Sequence, residues 1–358
     1  MTRLGDVCAI RYGKDHKKLS DGSIPTYGSG GIMRYVDTAI CEQPSVLIPR
    51  KGTLGNLFYT DEPFWTVDTL FWTDIDQTKI VPKYLYYQLK QKDLASYNVG
   101  TAVPSLTVEV LNEIDLDVPS IDKQRRIVEV LNSFDSKIAL NNQLNDYLAN
   151  LCETIASRYC NDRNSRLRDI CYQVADHVDY DNANQETYVS TESLMQNKGG
   201  RQLASSLPTT GKITRYKAGD TLISNIRPYF KKIWYAPFEG TCSGDVIVFR
   251  ANDPSNAPYL HACLRQDSFF DYVMQGAKGT KMPRGDKKQM MEFKVASSCS
   301  TKDLILLDSA IKQRSDNDSE TVKLQALRDT LLPKLMSGEI DVSKVDLTQL
   351  TNNHLVDC

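Results

Sequence analysis

Histidine is scarce in this sequence, and its few histidines do not cluster. The 358 residues contain four histidines, three tryptophans and nine cysteines. No histidine belongs to an H-E-x-x-H motif, and the cysteines form no C-x-x-C pair. These absences argue against the common zinc sites, so we expect neither a metal nor a cofactor. The cysteines with apolar neighbours, which we expect to be reduced core residues, are Cys8, Cys41, Cys152, Cys171, Cys242 and Cys263.

Motifs of ATP-driven motors and of methyltransferases are also missing. No G-x-x-x-x-G-K-S/T segment occurs, which excludes a P-loop for ATP. The adenine-methyltransferase motif N/D-P-P-Y/F is absent, and residues 61–64 (DEPF), which come nearest, have one proline instead of two. The acids Asp61, Glu62 and Asp68 with Lys51 leave a metal-dependent nuclease as an alternative, although scattered acids are common on loops. The sequence therefore lacks the motifs of an ATP-driven motor and of an adenine methyltransferase.

Long apolar runs are missing too. The sequence has no apolar stretch of transmembrane length and no charged-then-apolar leader where it begins. Its content of 41% hydrophobic and 25% charged residues is typical of globular proteins, and its length suffices for two domains. We expect a cytoplasmic protein with no membrane partner.

Charge is distributed unevenly along the chain. The formal net charge is −2, which argues weakly against a nucleic-acid partner. Residues 198–298, however, carry 16 Lys and Arg against 8 Asp and Glu, whereas residues 1–119 carry 12 against 15. The local excess of positive charge in the second half favours a nucleic-acid partner, and the whole-chain charge hides it.

Residues 121–157 have the pattern of a helix far longer than the helices of ordinary globular proteins. Apolar residues fall on the two seam positions of a heptad repeat, and neither Pro nor Gly interrupts them. At about 1.5 Å per residue the stretch predicts a rod of roughly 55 Å, which suits a spacer better than a core helix. The seam residues are Ile127, Leu131, Phe134, Ile138, Leu148 and Ile155, and Asn141 and Asn145 interrupt the two rows.

Five short segments recur in the same order along the chain. The pairs are 3–8 with 166–171, 45–48 with 220–223, 84–89 with 259–264, 100–104 with 279–283, and the helical stretches 121–157 with 302–336. One weak match would mean little, but five in one order indicate a duplicated unit that consists of a globular domain and a long helix.

The second helical stretch is less regular than the first. Its closing seam residues are Leu324, Leu327, Leu331 and Leu335. Residues 312–321 are almost wholly polar, and we expect Pro333 to end or kink the last turns. If the two helices pack antiparallel, three pairs face each other: Ile127 with Leu335, Asn141 with Thr321, and Asn145 with Asn317. The polar pairs would fix the register.

The segments between the helices predict mixed α/β structure, because short strand patterns alternate with turn clusters. The expected fold is α/β plus coiled coil, with two mixed α/β domains separated by two long antiparallel helices and related by an internal pseudo-two-fold repeat. The expected boundaries are 1–119 for the first domain, 120–160 for the central helix, 161–298 for the second domain, 299–340 for the C-terminal helix and 341–358 for a mobile tail.

Four segments resemble motifs of the specificity subunits of type I restriction-modification systems. Residues 24–32 (IPTYGSGGI) look like the glycine-rich opening of many target-recognition domains of that family, and residues 46–56 (VLIPRKGTLGN) look like the strand and loop that follow. Residues 118–127 (VPSIDKQRRI) resemble the P-P-x-x-x-Q-x-x-I start of its central helix, and residues 331–340 (LLPKLMSGEI) resemble its C-terminal helix ending. The second domain departs from the pattern, since it lacks the Gly-Ser-Gly-Gly segment and residues 297–303 have lost the Pro and Gln.

This resemblance implies a non-catalytic reader of double-stranded DNA. Each domain would recognise one half of a bipartite sequence, and the helices would set the gap between the halves and dock two methyltransferase (modification) subunits. Restriction subunits would join the full complex. A stand-alone DNA-binding protein and a purely structural coiled-coil adaptor remain as alternatives.

The candidate DNA-binding residues lie on loops that combine cations with glycine or hydroxyl side chains, which can contact phosphates and base edges. In the first domain they are Ser29, Arg50, Lys51, Thr53 and Thr101. In the second domain they are Arg227, Tyr229, Lys231, Lys232, Lys278, Thr280, Lys281, Arg284 and Lys287. Thr101 and Thr280 occupy the same place in the repeated Gly-Thr-x-x-Pro segment, which favours them over the others.

Overall fold

A computed structural model describes residues 2–100, 103–159 and 164–345 of the chain. The chain divides into two compact units. Unit 1 consists of Met1–Ile138 and Val322–Cys358, and unit 2 consists of Ala139–Thr321. Each unit combines β-sheets and short helices with one part of each of two long helices.

The described helices include the two long ones that the sequence predicts. In chain order they are α1 (Leu4–Val7), α2 (Pro82–Lys90), α3 (Val108–Asn112), α4 (Ile121–Arg158), α5 (Leu167–Ile170), α6 (Ala257–Leu264), α7 (Asp267–Gln275), α8 (Lys287–Met290) and α9 (Thr301–Ser337). Helix α4 confirms the predicted rod at 121–157, and α9 confirms its counterpart at 302–336. The apolar patches predicted at 84–89 and 259–264 lie in α2 and α6.

The described strands of unit 1 form two sheets and one short strand pair. They are β1 (Thr2–Arg3), β2 (Cys8–Tyr12), β3 (Asp21–Gly28), β4 (Gly31–Val36), β5 (Ser45–Pro49), β6 (Phe58–Thr60), β7 (Trp65–Thr66), β8 (Leu70–Ile75) and β9 (Asp115–Leu116). One sheet has the order β2-β8-β5-β6 and is antiparallel throughout, another has the order β4-β3-β7, and β1 pairs with β9. Strand β5 is buried along its whole length, as the apolar run at 45–48 predicts.

The described strands of unit 2 repeat part of this arrangement. They are β10 (Ser165–Arg166), β11 (Cys171–Gln173), β12 (His177–Asp179), β13 (Tyr188–Val189), β14 (Lys212–Tyr216), β15 (Thr221–Ser224), β16 (Ile233–Tyr235), β17 (Gly240–Cys242), β18 (Val246–Ala251) and β19 (Lys294–Val295). The sheet β11-β18-β15-β16 has the topology of β2-β8-β5-β6, and β10 pairs with β19 as β1 pairs with β9. A further sheet has the order β12-β14-β17-β13.

The repeat at 3–8 and 166–171 has a capping function at the first helix of each globular part. The Asp6 carboxylate accepts a hydrogen bond from the Arg3 N–H at 2.8 Å, and the Asp169 carboxylate accepts one from the Arg166 N–H at 2.7 Å. In both units the residue that follows the arginine, Leu4 or Leu167, is fully buried. The Asp thus satisfies a backbone donor that the short helix leaves free, which explains why the same residues recur.

Each unit has its own hydrophobic core, to which both long helices contribute. In unit 1 the core joins the sheet to α2, to residues 121–138 of α4 and to the end of α9. In unit 2 it joins the sheet to α6, α7, residues 139–158 of α4 and the beginning of α9. The seam residues Ile127, Leu131, Phe134, Ile138 and Ile155 are all at most 8% exposed, and Leu148 is half-buried.

The polar residues of the seam fix the antiparallel register within unit 2. Asn141 Nδ2 donates to Glu320 Oε2 at 2.7 Å and lies 3.4 Å from Thr321 Oγ1. Asn145 Oδ1 accepts from Asn317 Nδ2 at 2.8 Å. The predicted pairing of Asn141 with Thr321 and of Asn145 with Asn317 is therefore confirmed. Since both asparagines are at least nine-tenths buried, a shift in register would leave their amides without partners.

One expectation for helix α9 is wrong. Leu327, predicted in the seam with Leu324, Leu331 and Leu335, is 46% exposed. The next residue, Arg328, takes the inward position, and its guanidinium donates to the Asp135 carboxylate of α4 at 2.9 Å. Positions 324, 328, 331 and 335 follow the alternating spacing of three and four residues that a heptad seam requires. Position 327 does not, so the Leu327 side chain lies on the surface. Of the two effects expected of Pro333, an end or a kink, the end does not occur, since the helix continues to Ser337.

The end of the described chain also differs from expectation. The sequence predicts a mobile tail from residue 341, but Val342–Lys344 forms a 3-10 turn in which Val342 is buried. The Val345 carbonyl accepts a hydrogen bond from Arg126 of α4 at 3.0 Å. These contacts join the segment to the core of unit 1. The rest of the predicted tail lies outside the described residues.

Candidate nucleic-acid interface

In unit 1, two loops that carry candidate residues are paired through their backbones. The first loop, residues 50–56, follows β5, and the second comprises residues 98–106. Lys51 forms an antiparallel bridge with Ser105, and the Gly52 N–H donates to the Pro104 carbonyl at 3.1 Å. Leu106 N–H donates to the carbonyl of residue 50 at 2.9 Å. We call these segments the paired loops of unit 1; Thr101, a candidate residue, lies outside the described residues.

Unit 2 has the same arrangement, in loops 225–232 and 277–288. Ile226 forms an antiparallel bridge with Arg284, and the Arg227 N–H donates to the Pro283 carbonyl at 2.8 Å. The residue that donates to the proline has a positive φ in both units, +94° at Gly52 and +49° at Arg227. The repeated Gly-Thr-x-x-Pro segment therefore recurs because it supplies the proline carbonyl that this turn requires. We call these segments the paired loops of unit 2.

The candidate residues of unit 1 lie around the paired loops. Arg50 lies over the ring of Tyr12, 5.3 Å from its centroid, and donates to the Asp68 carbonyl at 3.2 Å. Ser29 is in the turn between β3 and β4, and its carbonyl accepts from Asn56 at 3.1 Å. The glycine-rich hairpin thereby contacts the paired loops. Lys51 and Thr53 are exposed.

Several candidate cations of unit 2 are engaged with partners inside the unit. Arg284 forms an ion pair with Asp245 at 3.0 Å, and Lys278 forms one with Asp286 at 3.4 Å. Lys231 donates to the Asp267 carboxylate at 2.8 Å. Lys232 donates to the Thr191 carbonyl at 2.6 Å, and burial lowers the pKa of its ammonium group. These cations hold loops in place and are less available to a phosphate than their exposure suggests.

The remaining candidates of unit 2 face solvent. Lys281 and Lys287 are exposed and have no ion-pair partner among the described residues, and the same holds for Lys288 beside them. Thr280 is exposed, and Tyr229 is 46% exposed at the apex of its loop. Arg227 is half-buried. The paired loops of unit 2 thus carry ammonium groups without an ion-pair partner among the described residues and one exposed aromatic side chain.

Sequence reasoning missed three residues of this surface. The Tyr12 ring lies under the Arg50 guanidinium, and Asn56 joins the hairpin to the paired loops of unit 1. In unit 2 the Lys198 N–H donates to the carbonyl of residue 231 at 2.9 Å. Asn56 lies within a motif that the sequence singled out, but Tyr12 and Lys198 come from distant segments. Only the fold brings them to the site.

In the part of the chain that the structure describes, no group of three or more His, Cys, Asp or Glu residues could hold a metal ion. Asp68, one of the acids considered for a nuclease, accepts a hydrogen bond from Arg50 with its main-chain carbonyl. The cysteine thiols expected in the core are free and mostly buried, and burial raises the pKa of Cys8 and of Cys171 to about 12.

None of the described helices is long and apolar enough to cross a membrane.

Comparison with known proteins supplies the context for this surface. Residues 1–150 match the family described as "Type I restriction modification DNA specificity domain". The chain is 26% identical over 177 residues to a putative type I restriction enzyme specificity subunit of Haemophilus influenzae, an alignment that covers 44% of each protein. It is 19% identical over 341 residues to the type I restriction enzyme EcoDI specificity subunit of Escherichia coli, covering 82% of this chain and 76% of that protein. The chain thus spans less than half the length of the Haemophilus relative.

Among solved structures, the fold is similar to that of a type I restriction-modification S subunit from M. genitalium. The TM-score is 0.57 at 16% sequence identity, and the match covers 93% of this chain and 95% of that one. At this identity the likeness concerns the fold. It agrees with the expectation of mixed α/β domains combined with long antiparallel helices.

Proposed function

We propose that this chain, whose residues 1–150 match the type I restriction modification DNA specificity domain, is the DNA-recognition subunit of a type I complex and is not catalytic by itself. In this proposal each unit reads one half of a bipartite duplex sequence. The observation that carries it is the duplication of the paired loops: in both units a residue with positive φ donates to a proline carbonyl, and the side chains around it differ. Two copies of one scaffold with different side chains are suited to reading two different half-sites.

The long helices are proposed to set the gap between the half-sites. Helix α4 is continuous from Ile121 to Arg158 and contributes to both units. A reader with two fixed modules recognises half-sites only at the matching spacing, as dimeric DNA-binding proteins do. Binding of the second module to the same duplex is effectively intramolecular, which raises the overall affinity.

The helices are also proposed to dock two methyltransferase subunits, and restriction subunits would join the same assembly. In unit 2, α4 exposes apolar side chains at helical spacing on one face: Leu140, Leu144, Tyr147 and Leu151, which are 38–63% exposed. A row of this kind is typical of a surface that another protein covers. It supports a protein partner for the helix in addition to DNA for the loops.

The proposal is tested by selecting bound sequences from a random duplex library with the full chain in complex with its methyltransferase subunit. We expect two preferred blocks separated by a constant gap. A single block would indicate a stand-alone DNA-binding protein, and no preference would indicate a coiled-coil adaptor. Cleavage of DNA by the pure chain with magnesium would contradict the non-catalytic role.

A further inference from the structure

A short loop of unit 2 presents one aromatic side chain to solvent. Residues 227–231, here called the Tyr229 loop, contain a 3-10 turn (Pro228–Phe230) between Arg227 and Lys231. Both flanking residues have left-handed backbones, with φ of +49° and +51°. Pro228 is buried, whereas Tyr229 is 46% exposed with its ring centroid 4.7 Å from that of Phe230. The loop therefore turns Tyr229 outward at its apex.

A second loop holds the Tyr229 loop through its backbone. Asn197 N–H donates to the carbonyl of Phe230 at 2.8 Å, and Lys198 N–H donates to the carbonyl of Lys231 at 2.9 Å. Asn197 and Lys198 are left-handed as well, with φ of +54° and +61°. Across the described residues, the non-glycine positions with positive φ are these two, Arg227 and Lys231. Such conformations persist only where the surroundings enforce them, so this contact is held by tertiary structure.

Five charged residues supply that enforcement, and we call them the anchor network: Glu153, Lys198, Lys231, Arg265 and Asp267. Lys198 Nζ lies 3.0 Å from both Glu153 and Asp267, and Lys231 donates to Asp267 at 2.8 Å. Arg265 reaches the Glu153 carboxylate at 3.4 Å and the Lys198 carbonyl at 3.2 Å. The five residues line one polar cleft of about 650 Å³.

The anchor network connects the Tyr229 loop to the long helix. Glu153 belongs to α4 and Asp267 is the first residue of α7. The side chains of Lys198 and Arg265 are 11% and 6% exposed, so they are fixed within the unit rather than spread over its surface. Contacts therefore run from the spacer helix through Glu153 and Lys198 to Lys231 and the loop that carries Tyr229.

We propose that Tyr229 contacts a base in the half-site read by unit 2 and that the anchor network positions it from helix α4. This inference rests on the proposed function. Phosphate contacts by lysine carry no sequence information, whereas base edges in the groove are read by polar and apolar side-chain contacts, both of which a tyrosine offers. Lys281 and Lys287 on the paired loops of unit 2 supply the phosphate contacts beside it. Lys198 and Lys231 are positioning residues, because their ammonium groups are already bound to carboxylates.

The base contact is tested with the variant Tyr229→Ala, in the full chain complexed with its methyltransferase subunit and a random duplex library. We expect base preference to be lost at one or two positions of one block while the other block and the gap stay unchanged. Affinity for the preferred duplex should fall about tenfold, equivalent to about 1.4 kcal/mol. The control is Tyr180→Ala, a residue 41% exposed in another 3-10 turn of unit 2, which should change nothing.

The positioning role is tested with Asp267→Asn. If Asp267 merely repelled DNA, its loss would raise affinity for every sequence and leave base preference intact. The inference instead expects preference to weaken at the positions that Tyr229→Ala affects, because Lys198 and Lys231 lose their common partner. An unchanged preference would overturn the positioning role.

A second variant, Lys231→Asn, separates positioning from phosphate contact. Asparagine tolerates the left-handed backbone at this position but lacks the ammonium group. We expect weaker preference at the same positions and an unchanged dependence of affinity on salt, with recovery in Lys231→Arg. A salt slope lowered by about one would mean that Lys231 contacts a phosphate, which contradicts the inference.

The controls distinguish the two proposals. If the wild-type chain selects no bipartite sequence, the proposed function itself fails. If it selects one and Tyr229→Ala retains the same preferences, only the inference about Tyr229 fails.

Discussion

The paired loops of the two units share a hydrogen bond from a residue with positive φ to a proline carbonyl, and they differ in the side chains that follow that residue. In unit 1 the positive-φ residue is Gly52, and Leu54, two residues later, is 4% exposed. In unit 2 the positive-φ residue is Arg227, and Tyr229, again two residues later, is 46% exposed. Two residues after the shared hydrogen bond, the chain therefore buries an aliphatic side chain in unit 1 and presents an aromatic one in unit 2. The comparison indicates that both units keep the hydrogen bond to the proline carbonyl, whereas the side chain two residues later differs.

The units also differ in what their charged networks hold. In unit 1, Asp135 of α4 accepts from Tyr87 of α2 at 2.6 Å and from Arg328 of α9 at 2.9 Å. The pKa of the Tyr87 hydroxyl is raised mainly by burial and further by the hydrogen bond to this carboxylate. In unit 2 the network at Glu153 extends to the Tyr229 loop. A carboxylate on α4 therefore contacts a helix in unit 1 and, through Lys198, the Tyr229 loop in unit 2.

The largest expected effect comes from exchanging residues 161–298 for the corresponding segment of another specificity subunit. If each unit reads independently, the selected sequence changes completely in one block and not in the other. The measurement is the same library selection with the chimaeric chain in its complex. A change in both blocks would contradict modular reading.

A second comparison concerns the separate cores. Leu131 in unit 1 and Ile155 in unit 2 are both fully buried on α4. Replacing either by alanine should lower the free energy of unfolding by about 3 kcal/mol, because each leaves a cavity. Amide hydrogen exchange should show the loss of protection mainly in the unit that carries the change. Leu140→Ala, at a side chain 56% exposed, is the control and should cost less than about 0.5 kcal/mol.

Equal loss of protection in both units from either core variant would mean that the two cores are not independent. The comparison between units would then lose its basis.

The sequence predicted the features that depend on local pattern and on long periodicity. The heptad rows gave α4 and its pairing with α9, and the interrupting asparagines indicated the register, since buried amides need partners. The sequence does not predict the β3–β4 hairpin, because Pro25 and the glycines that follow interrupt the strand pattern. Whether a lysine is free or paired depends on acids from distant segments. Arg284 and Lys231 therefore look more available in the sequence than they are, because their partners, Asp245 and Asp267, lie elsewhere in the chain.

A smaller effect should sharpen the assignment of phosphate contacts. Replacing Lys281 and Arg284 together by alanine is expected to weaken DNA binding and to lower the salt slope by about one to two. Most of the change should come from Lys281, because Arg284 is paired with Asp245. Lys51→Ala makes the corresponding test in unit 1, and Lys212→Ala, outside the paired loops, is the control. An unchanged slope would remove these loops from the DNA footprint.

The smallest expected effect is a pH dependence that unit 2 owes to Asp267. The ammonium groups of Lys231 and Lys198 hold the pKa of the Asp267 carboxyl below its usual value. The stabilisation by this group is therefore present above the unfolded pKa and is lost as the pH falls through the folded pKa, below about pH 4. Denaturant unfolding of the wild type and of Asp267→Asn should differ near neutral pH and converge in acid. A difference that persists at low pH would contradict the ionic origin of the contact.

The most direct test of the account is a gap series. Once the preferred sequence is known, the affinity of the complex is measured for duplexes whose gap is one base pair longer or shorter. One base pair moves the second half-site by about 3.4 Å and rotates it by about 34°. The account predicts that either change reduces the affinity to that of a duplex with a single half-site. Equal affinity across the series would contradict the claim that two units on shared helices read halves at a fixed distance.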